Sequence, residues 1–329
     1  MKKLIVFMLL ICLCLTAGCA KSEKENELDF SAISEELIAL NAEKSILERE
    51  LATLMEKYEI ALSGGECCFV FFADNMERNL MDSIYPAINS VDFKATAVMS
   101  DMKAPGQEGC ITLSDYNTLK EKGWDFAIGT GELNLSEENG LEELKAYIDS
   151  YRALLAETGI EMPKTICFQE TLYDKDYAEL LLTEGFKVVR CDSGLKDKFS
   201  RAIGRDGLYI LGSGLMKASS TSTLKREMTS AHENAYTYSI VVKKLLQEVV
   251  NKGEECNISK YKSMLSFVID DCTGANVFTA TELYDYKSEA VALESGFKEE
   301  ELKEIEAKEA RIAEINSEIE KINETLRNY

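Results

Sequence analysis

A single histidine, His232, limits the metal chemistry that this chain of 329 residues can support. Hydrolytic zinc and iron sites usually hold the ion with several neutral imidazoles and leave one coordination position open. One imidazole cannot build such a site. We therefore interpret His232 as a surface residue, with a role as a metal ligand as the alternative.

Ten cysteines are the other residues whose chemistry needs an explanation. Cys12, Cys14 and Cys19 fall in the N-terminal leader, which leaves an odd number with no C-x-x-C spacing. The sequence favours small buried hydrophobic residues over a disulfide framework, although one disulfide between unspecified partners stays open. Four of these cysteines lie in or beside apolar runs that are typical of strands: Cys67, Cys68, Cys167 and Cys191.

The N-terminus has the features of a lipoprotein leader. Two lysines precede an apolar run over residues 4–15, which is too short to span a membrane comfortably. The sequence LTAGC at residues 15–19 resembles a bacterial lipobox. It predicts a signal peptide over residues 1–18 and a diacylated Cys19 that anchors the protein to the extracytoplasmic face of the cell membrane, because each buried CH₂ contributes about 0.8 kcal/mol. The alternative is an ordinary cleaved signal peptide with an incidental cysteine.

The charge balance excludes one class of partner. The formal net charge is −21, and loss of Lys2 and Lys3 with the leader would make it −23. So acidic a chain repels nucleic acid and anionic lipid headgroups. We therefore expect no nucleic-acid partner and no membrane attachment besides the lipid anchor.

Both ends of the chain carry heptad repeats. After a linker over residues 19–30, apolar residues recur in steps of four and three through 31–63, interrupted only by Lys44, and residues 297–329 repeat the pattern. The two segments are predicted to pair as an antiparallel coiled coil within one chain. A homodimeric coil and two independent amphipathic helices are the alternatives. The seam residues are Ile33, Leu37, Leu40, Leu47, Leu51, Leu54, Tyr58 and Ala61 at one end, and Ile305, Lys308, Ile312, Ile315, Ile319, Ile322, Leu326 and Tyr329 at the other.

The body, residues 66–290, alternates short apolar runs with helical patterns. Repeated β-α units of this length imply an α/β fold with a parallel sheet or barrel, whose site lies at the C-terminal ends of the strands. Strands are predicted at Cys67–Ala73, Lys94–Met99, Phe126–Ile128, Lys164–Phe168, Phe186–Cys191 and Leu208–Leu211, and helices at Met76–Ile88, Ser114–Lys122, Leu141–Thr158 and Asp174–Thr183.

Several motifs in this body, in order, resemble those of NodB-type polysaccharide deacetylases. Phe71–Asn75 stands where that family has Thr-Phe-Asp-Asp-Gly, and LKEKGWDFAIGT at 119–130 is similar to its L-x-x-x-G-H-E-I-G-x-H-T segment. LLLTEGFKVVRCD at 180–192 is similar to its L-x-x-x-G-y-x-x-v-x-w-D stretch, and Phe278–Tyr286 to its closing segment. The resemblance, over about residues 67–286, implies a distorted (β/α) barrel of about seven strands.

The departures from the family's motifs concern the catalytic groups. The position of the family's catalytic base is occupied by Ala73, whereas the metal-ligand position that follows keeps an aspartate, Asp74. The two metal-binding histidine positions fall on Gly129 and Leu133, with Glu132 one residue away. Deacetylation needs a metal to activate water and a base to take its proton. The resemblance therefore implies a catalytically inactive member with no cofactor.

Three functions remain open for such a barrel. It would bind a glycan or a cell-envelope protein without turnover, with Trp124, Gln169, Glu170 and Tyr173 as candidate contacts. It would act as an active hydrolase with a rewired divalent-metal site of Asp74, Glu132 and Glu170, a carboxylate set that suits Mg²⁺, Mn²⁺ or Ca²⁺. It would serve as a spacer while the coiled coils direct assembly. For Asp74 alone, a loop- or helix-capping role is the alternative to metal binding.

Overall fold

The computed structural model consists of two compact units. One contains the described residues of Met1–Ala52 and Glu304–Tyr329, and the other is Thr53–Lys303. The structure describes residues 30–62, 66–131, 133, 139–168, 175–191, 199–200, 203, 207–250, 253–293 and 299–328.

The strands and helices have the following bounds. The strands are β1 (Cys68–Ala73), β2 (Thr96–Met99), β3 (Asp125–Gly129), β4 (Thr165–Phe168), β5 (Val188–Cys191), β6 (Tyr209–Met216), β7 (Thr237–Val242), β8 (Lys244–Leu246), β9 (Glu255–Asn257) and β10 (Asn276–Phe278). The helices are α1 (Phe30–Leu62), α2 (Tyr85–Asn89), α3 (Leu113–Glu121), α4 (Gly140–Thr158), α5 (Lys175–Thr183), α6 (Thr221–Glu233), α7 (Ile258–Asp270), α8 (Ala280–Leu293) and α9 (Glu299–Asn328), and a π-helical turn covers Leu80–Ile84.

In the smaller unit, residues 30–52 of α1 pack against residues 304–327 of α9, and we call these two segments the helix pair. Leu40, Ile305 and Ile315 are buried, and the other predicted seam residues in these segments are half-buried. The two helices run antiparallel, because Glu50 accepts from Lys308 Nζ at 2.6 Å while Asn316, farther along α9, accepts from the earlier residue Lys44. These bonds join two helices of the same chain.

The polar residues in the seam have specific partners. Lys44 Nζ donates to Asn316 Oδ1 at 2.6 Å, and Lys308 lies 3.4 Å from Glu304 as well as contacting Glu50. The Arg311 guanidinium donates to both carboxylate oxygens of Glu43 at 2.8 and 3.1 Å. Polar groups that find partners in one alignment alone fix the register and orientation of a coiled coil.

The larger unit is a closed parallel barrel. Strands β1 to β7 follow one another around it as neighbours, and β7 pairs with β1 over Thr237–Val242, which closes the cylinder. Strand β10 pairs in parallel with the first half of β1, Cys68–Val70, whereas β2 pairs with its last two residues, Phe72 and Ala73. This barrel of seven strands surrounded by helices confirms the predicted fold class.

Alternation along the strands divides the core into two layers. In β1, Cys68, Val70 and Phe72 belong to the cluster inside the barrel, together with side chains of the other strands. Phe69 and Phe71 belong to the cluster between the barrel and the surrounding helices. Because both faces of the strand are buried, its sequence is a continuous apolar run.

The helix ends follow local chemistry that the sequence shows. Thr112 and Asp115 form a reciprocal capping box at the start of α3. Helix α4 ends at Gly159, whose φ of 70° gives the left-handed C-cap that glycine adopts without a steric penalty. These signals explain why α3 and α4 lie within one residue of the predicted bounds.

The N-terminus of α8 fills the base of the barrel. Ala280 and Leu283 are buried in the interior cluster. The backbone N–H of Ala280 donates to Thr96 Oγ1 at 2.9 Å, and the N–H and hydroxyl of Thr281 donate to one oxygen of Asp125 at 3.1 and 2.6 Å. Burial raises the pKa of the Asp125 carboxyl above its ordinary value, although these bonds oppose the shift.

Two regions of the body have more detail than the sequence predicted. The helix predicted at Met76–Ile88 is present as a continuous helical run over residues 78–89, which is π-helical at Leu80–Ile84 and has Pro86 in the first turn of α2. Residues 278–286, which resemble the family's closing segment, end β10 and begin α8, whereas β7 closes the barrel.

Two further features concern the cysteines and the membrane. Cys67, Cys68, Cys167 and Cys191 are buried as the sequence predicted, and no disulfide forms among the described residues. Within the same described ranges, no helix combines the length and the apolar character needed to cross a membrane.

The contact between Arg311 and Glu43 can be tested by exchanging the two charges. Arg311→Glu should lower the melting temperature of the helix pair by a few degrees, because the new carboxylate faces Glu43 and Glu318. The double variant Glu43→Arg/Arg311→Glu should recover most of the loss in circular-dichroism melts. Equal melting of the single and double variants would contradict this contact.

Candidate functional site

The carboxyl ends of the barrel strands bring polar side chains together at one end of the cylinder, which we call the mouth. Asp74 follows β1, Ser100 and Asp101 follow β2, and Thr130 and Gly131 follow β3. In parallel barrels this end carries the functional groups, because the loops that leave the strands converge there. The mouth is therefore the candidate site.

A buried ion pair occupies the centre of this region. Arg190, in β5, has 2% of its side chain exposed and directs its guanidinium to Asp74. Its Nη1 and Nη2 donate to the two separate oxygens of that carboxylate at 2.6 and 2.7 Å. The guanidinium also lies over the ring of Phe72, 4.7 Å from the centroid. Both carboxylate oxygens of Asp74 thus accept charge-assisted hydrogen bonds from one planar cation.

The pair explains why a charged residue stands in an apolar strand. Val188 and Arg190 are alternate residues of β5, and Val188 belongs to the cluster inside the barrel. A guanidinium on that face leaves water and needs an anion, which Asp74 supplies. Sequence reasoning missed Arg190, although an arginine inside the run Val188–Cys191 is the signal that would have found the pair.

Ala73 and Asn75 flank Asp74 and have different roles. Ala73 is buried in the layer between the barrel and the helices, and its methyl group has no atom that could act as a base. Asn75 Oδ1 accepts from the backbone N–H of Glu77 at 2.6 Å, and its Nδ2 donates to Lys243 O at 2.9 Å. The capping role that the sequence offered to Asp74 is therefore performed by Asn75.

Of the two positions aligned with the family's histidines, Gly129 has little space for a side chain, and Leu133 packs toward the outer layer. A Cβ atom built on Gly129 would lie 2.5 Å from Ser100 Oγ and 3.1 Å from Val98 Cγ1. A larger side chain there requires the Ser100 and Val98 side chains to move. Leu133 is half-buried and packs against the outer layer, and its N–H donates to Thr130 O at 3.2 Å.

A strained turn holds the β2 side of the mouth. Asp101 and Met102 have φ values of 56° and 57°, in the left-handed region that residues with a Cβ rarely adopt. Gly131 lies close by, since a Cβ on it would be 2.5 Å from Asp101 Oδ1. The Tyr147 hydroxyl donates to Gly129 O at 2.7 Å, and burial, reinforced by the Asp101 charge, raises the pKa of Tyr147 to about 12. This phenol stays protonated at neutral pH and fixes the rim.

Two sequence candidates lie away from the mouth. Trp124 immediately precedes β3, at the opposite end of the barrel, is 4% exposed, and contacts the ring of Tyr85 at 5.8 Å. Its indole therefore packs in the core and not at the mouth, where the sequence placed it as a candidate ligand contact. His232 lies in the last turn of α6, where Nε2 is 3.0 Å from Thr273 O.

Other candidates fall outside the described residues. They are Cys19, Glu132, Gln169, Glu170 and Tyr173.

The described residues do not fit the divalent ion that the resemblance implies. Asp74 already binds Arg190 through both oxygens, and Gly129 and Leu133 carry no ligand atoms. Within the described ranges, no group of three or more histidine, cysteine, aspartate or glutamate side chains is arranged to hold a metal ion. A guanidinium in the mouth also opposes a second cation by charge repulsion.

Comparisons with known proteins give structural matches alone. No family model matches the sequence, and no curated protein matches it. The chain is similar to a family 4 acetyl xylan esterase from Clostridium thermocellum solved with a cobalt ion, at 11% identity and a TM-score of 0.42, covering 67% of this chain and 92% of that one. It is similar to a peptidoglycan deacetylase from Bacillus subtilis, at 9% identity and a TM-score of 0.37, covering 71% and 99%. A family 4 carbohydrate esterase from Streptomyces lividans matches at 9% identity and a TM-score of 0.39, covering 64% and 90%.

Breaking the buried pair should destabilise the barrel. Asp74→Ala leaves the Arg190 cation buried without this partner, which should lower the free energy of unfolding by about 3–5 kcal/mol. Asp74→Leu/Arg190→Met removes both charges and should lose less than the single change. Urea titration followed by tryptophan fluorescence measures both.

Asp149→Asn is the matched control for the loss of a carboxylate. Asp149 is 48% exposed and pairs with Lys145 and Arg152 on the surface, so its loss should leave the unfolding midpoint nearly unchanged. The account of the buried pair fails if Asp74→Ala is as mild as this control.

Proposed function

We propose that this protein is a non-catalytic, deacetylase-like barrel displayed on the outer face of a membrane, where it binds a glycan or a cell-envelope protein. The observation that carries the proposal is the engagement of both Asp74 oxygens by Arg190. The resemblance of the sequence to NodB-type deacetylases supplies the context for this observation.

The chemistry of amide hydrolysis supports a non-catalytic assignment. Hydrolysis of an N-acetyl group needs activated water and a group that takes its proton, and loss of a positioned base alone lowers a rate by about 10²–10⁴-fold. Ala73 stands where the family has its base, and its side chain is buried outside the barrel interior. Asp74 is the remaining carboxylate of that motif, and its charge is compensated by Arg190.

The rim of the mouth supports binding without turnover. Ser100 is half-buried and Asp101 is exposed, so both present polar atoms beside Gly129 and Gly131. These two polar atoms take up the space that a side chain would need at either glycine, since each lies 2.5 Å from the added Cβ. Hydroxyl and carboxylate groups on a rigid rim suit hydrogen bonding to a sugar or to a polar protein segment.

Membrane display rests on the leader and on Cys19. A diacylated cysteine followed by a polar linker would hold the chain at the outer face, and acylation by two chains gives stable anchoring where one gives marginal binding. The strong net negative charge of the chain would keep its surface away from anionic headgroups.

The catalytic part of the proposal predicts no metal-dependent deacetylation. The protein is incubated with acetylated chitooligosaccharides or peptidoglycan fragments and added Zn²⁺, Co²⁺ or Mn²⁺, and acetate is measured. We expect no acetate above the level of a heat-denatured control. Saturable binding of the glycan in calorimetry would show that the sugar is the ligand, and its absence would favour a protein partner. Metal-stimulated acetate release that disappears in Asp74→Ala would overturn the proposal and favour a rewired carboxylate site with Glu132 and Glu170.

The anchoring part predicts a change in fractionation. Cys19→Ala should release the protein from the membrane fraction or leave an uncleaved precursor, because the acyl acceptor is lost. Cys110→Ala, at a half-buried cysteine within the barrel unit, is the control and should fractionate as wild type. Correct processing and membrane retention of Cys19→Ala would show that the lipobox interpretation is wrong.

A further inference from the structure

The outer face of α1, turned away from the seam, is nearly uncharged. It carries two exposed isoleucines, Ile38 with 67% and Ile46 with 47% of the residue exposed. Alanine and serine fill most of the positions around them, and all are exposed. The members of this face, which we call the outer face, are Ser31, Glu35, Ile38, Ala39, Ala42, Ser45, Ile46 and Arg49.

Such a face is unusual in a chain with a net charge of −21. The seam positions of α1 already account for the apolar residues that contact α9 in the helix pair. Large aliphatic side chains at two further positions of a surface helix add exposed apolar area, which typically marks an interaction site. The two isoleucines make the outer face a candidate interaction surface.

The outer face is complementary to itself when reversed about Ala42. In an antiparallel arrangement with residue 42 at the crossing point, position 38 of one copy faces position 46 of the other. Ile38 then meets Ile46. The small side chains at the centre, Ala42 and its neighbours, allow two helices to approach closely.

The two charged residues of the outer face obey the same symmetry. Glu35 and Arg49 lie seven residues on either side of Ala42, so each Glu35 would face Arg49 of the second copy. Arg49 Nε donates to Ser45 O at 3.3 Å, which lays the guanidinium along the outer face. A parallel arrangement would instead oppose Glu35 to Glu35 and Arg49 to Arg49.

We propose that two copies of this chain associate through the outer faces of their α1 helices, antiparallel and centred on Ala42. The interface is isologous, with the same patch on both copies, as a two-fold dimer requires. The outer face carries one charge of each sign, so association there brings together the least acidic part of this helix. This association leaves the pairing of α1 with α9 in place and does not depend on the function proposed for the barrel.

Charge reversal tests the orientation. The full chain, purified in a mild detergent, is examined by sedimentation velocity over a range of concentrations, and wild type is expected to show reversible dimers. Glu35→Arg should weaken self-association about tenfold, because two ion pairs are replaced by repulsion between arginines. Arg49→Glu should do the same, and Glu35→Arg/Arg49→Glu should restore the wild-type constant.

Cysteine crosslinking tests the centre of the interface. Under mild oxidation Ala42→Cys should give a covalent dimer, because the two introduced thiols meet at the two-fold axis. Ala310→Cys, at an exposed alanine of α9, is the matched control and should stay monomeric in denaturing gels, as should wild type with its native cysteines.

Three results would overturn the proposal. They are a monomer at every concentration, a Glu35→Arg variant that associates like wild type, or crosslinking of Ala310→Cys as efficient as that of Ala42→Cys. Circular dichroism confirms that each variant keeps its helices, so that a loss of association is not a loss of folding.

Discussion

The guanidinium of Arg190 is buried inside the barrel, so its positive charge has to be neutralised there. The carboxylate of Asp74, a residue that directly follows another strand, neutralises it. Arg190 projects from β5 and Asp74 follows β1, so the pair crosses the interior and joins strands that are not neighbours in the sheet. Desolvation of two charges is expensive, and the bidentate geometry with the Phe72 ring behind the guanidinium offsets part of it. The position of β5 relative to β1 is thereby constrained.

The two ends of the barrel are built on different principles. At the base, the first turn of α8 enters between strands and its backbone N–H groups bind Thr96 and Asp125, so a helix end is satisfied by polar groups of the sheet. At the mouth, the interior is closed by the Arg190–Asp74 pair and by the turn at Asp101 and Met102. A cation attached to the chain thus stands beside the Asp74 carboxylate. The negative charge of Asp74 is therefore compensated within the protein itself, without a ligand.

Much of the fold was predictable because local sequence signals and burial agree. The strands of the first half are apolar on both faces, and the helices end at glycines or begin at capping residues such as Thr112. The second half was harder, because in β7, TYSIVV, Thr237 and Ser239 interrupt the continuous apolar run that marks the earlier strands, and because β8 and β9 have three residues each. The heptad seam was predictable from its period. Lys44 and Lys308 interrupt its apolar pattern, and in the structure each lysine has a polar partner on the other helix.

The candidate site was less predictable than the fold, for a physical reason. The resemblance of the sequence to NodB-type deacetylases predicts which groups are missing, namely a base at Ala73 and imidazoles at Gly129 and Leu133. It does not tell what compensates Asp74, since a long-range ion pair between β1 and β5 leaves no periodic signal. Trp124 shows the same limit, because an aromatic residue before a strand lies at the base of a barrel rather than at its mouth.

The most direct test of this account is a crystal structure of the protein soaked with Mn²⁺ or Zn²⁺ and measured at the metal's absorption edge. The account predicts that Arg190 keeps both bonds to Asp74 and that no anomalous peak lies within about 2.6 Å of that carboxylate, the range of metal–oxygen bonds. A metal ion bound to Asp74, with the Arg190 guanidinium displaced, would contradict it.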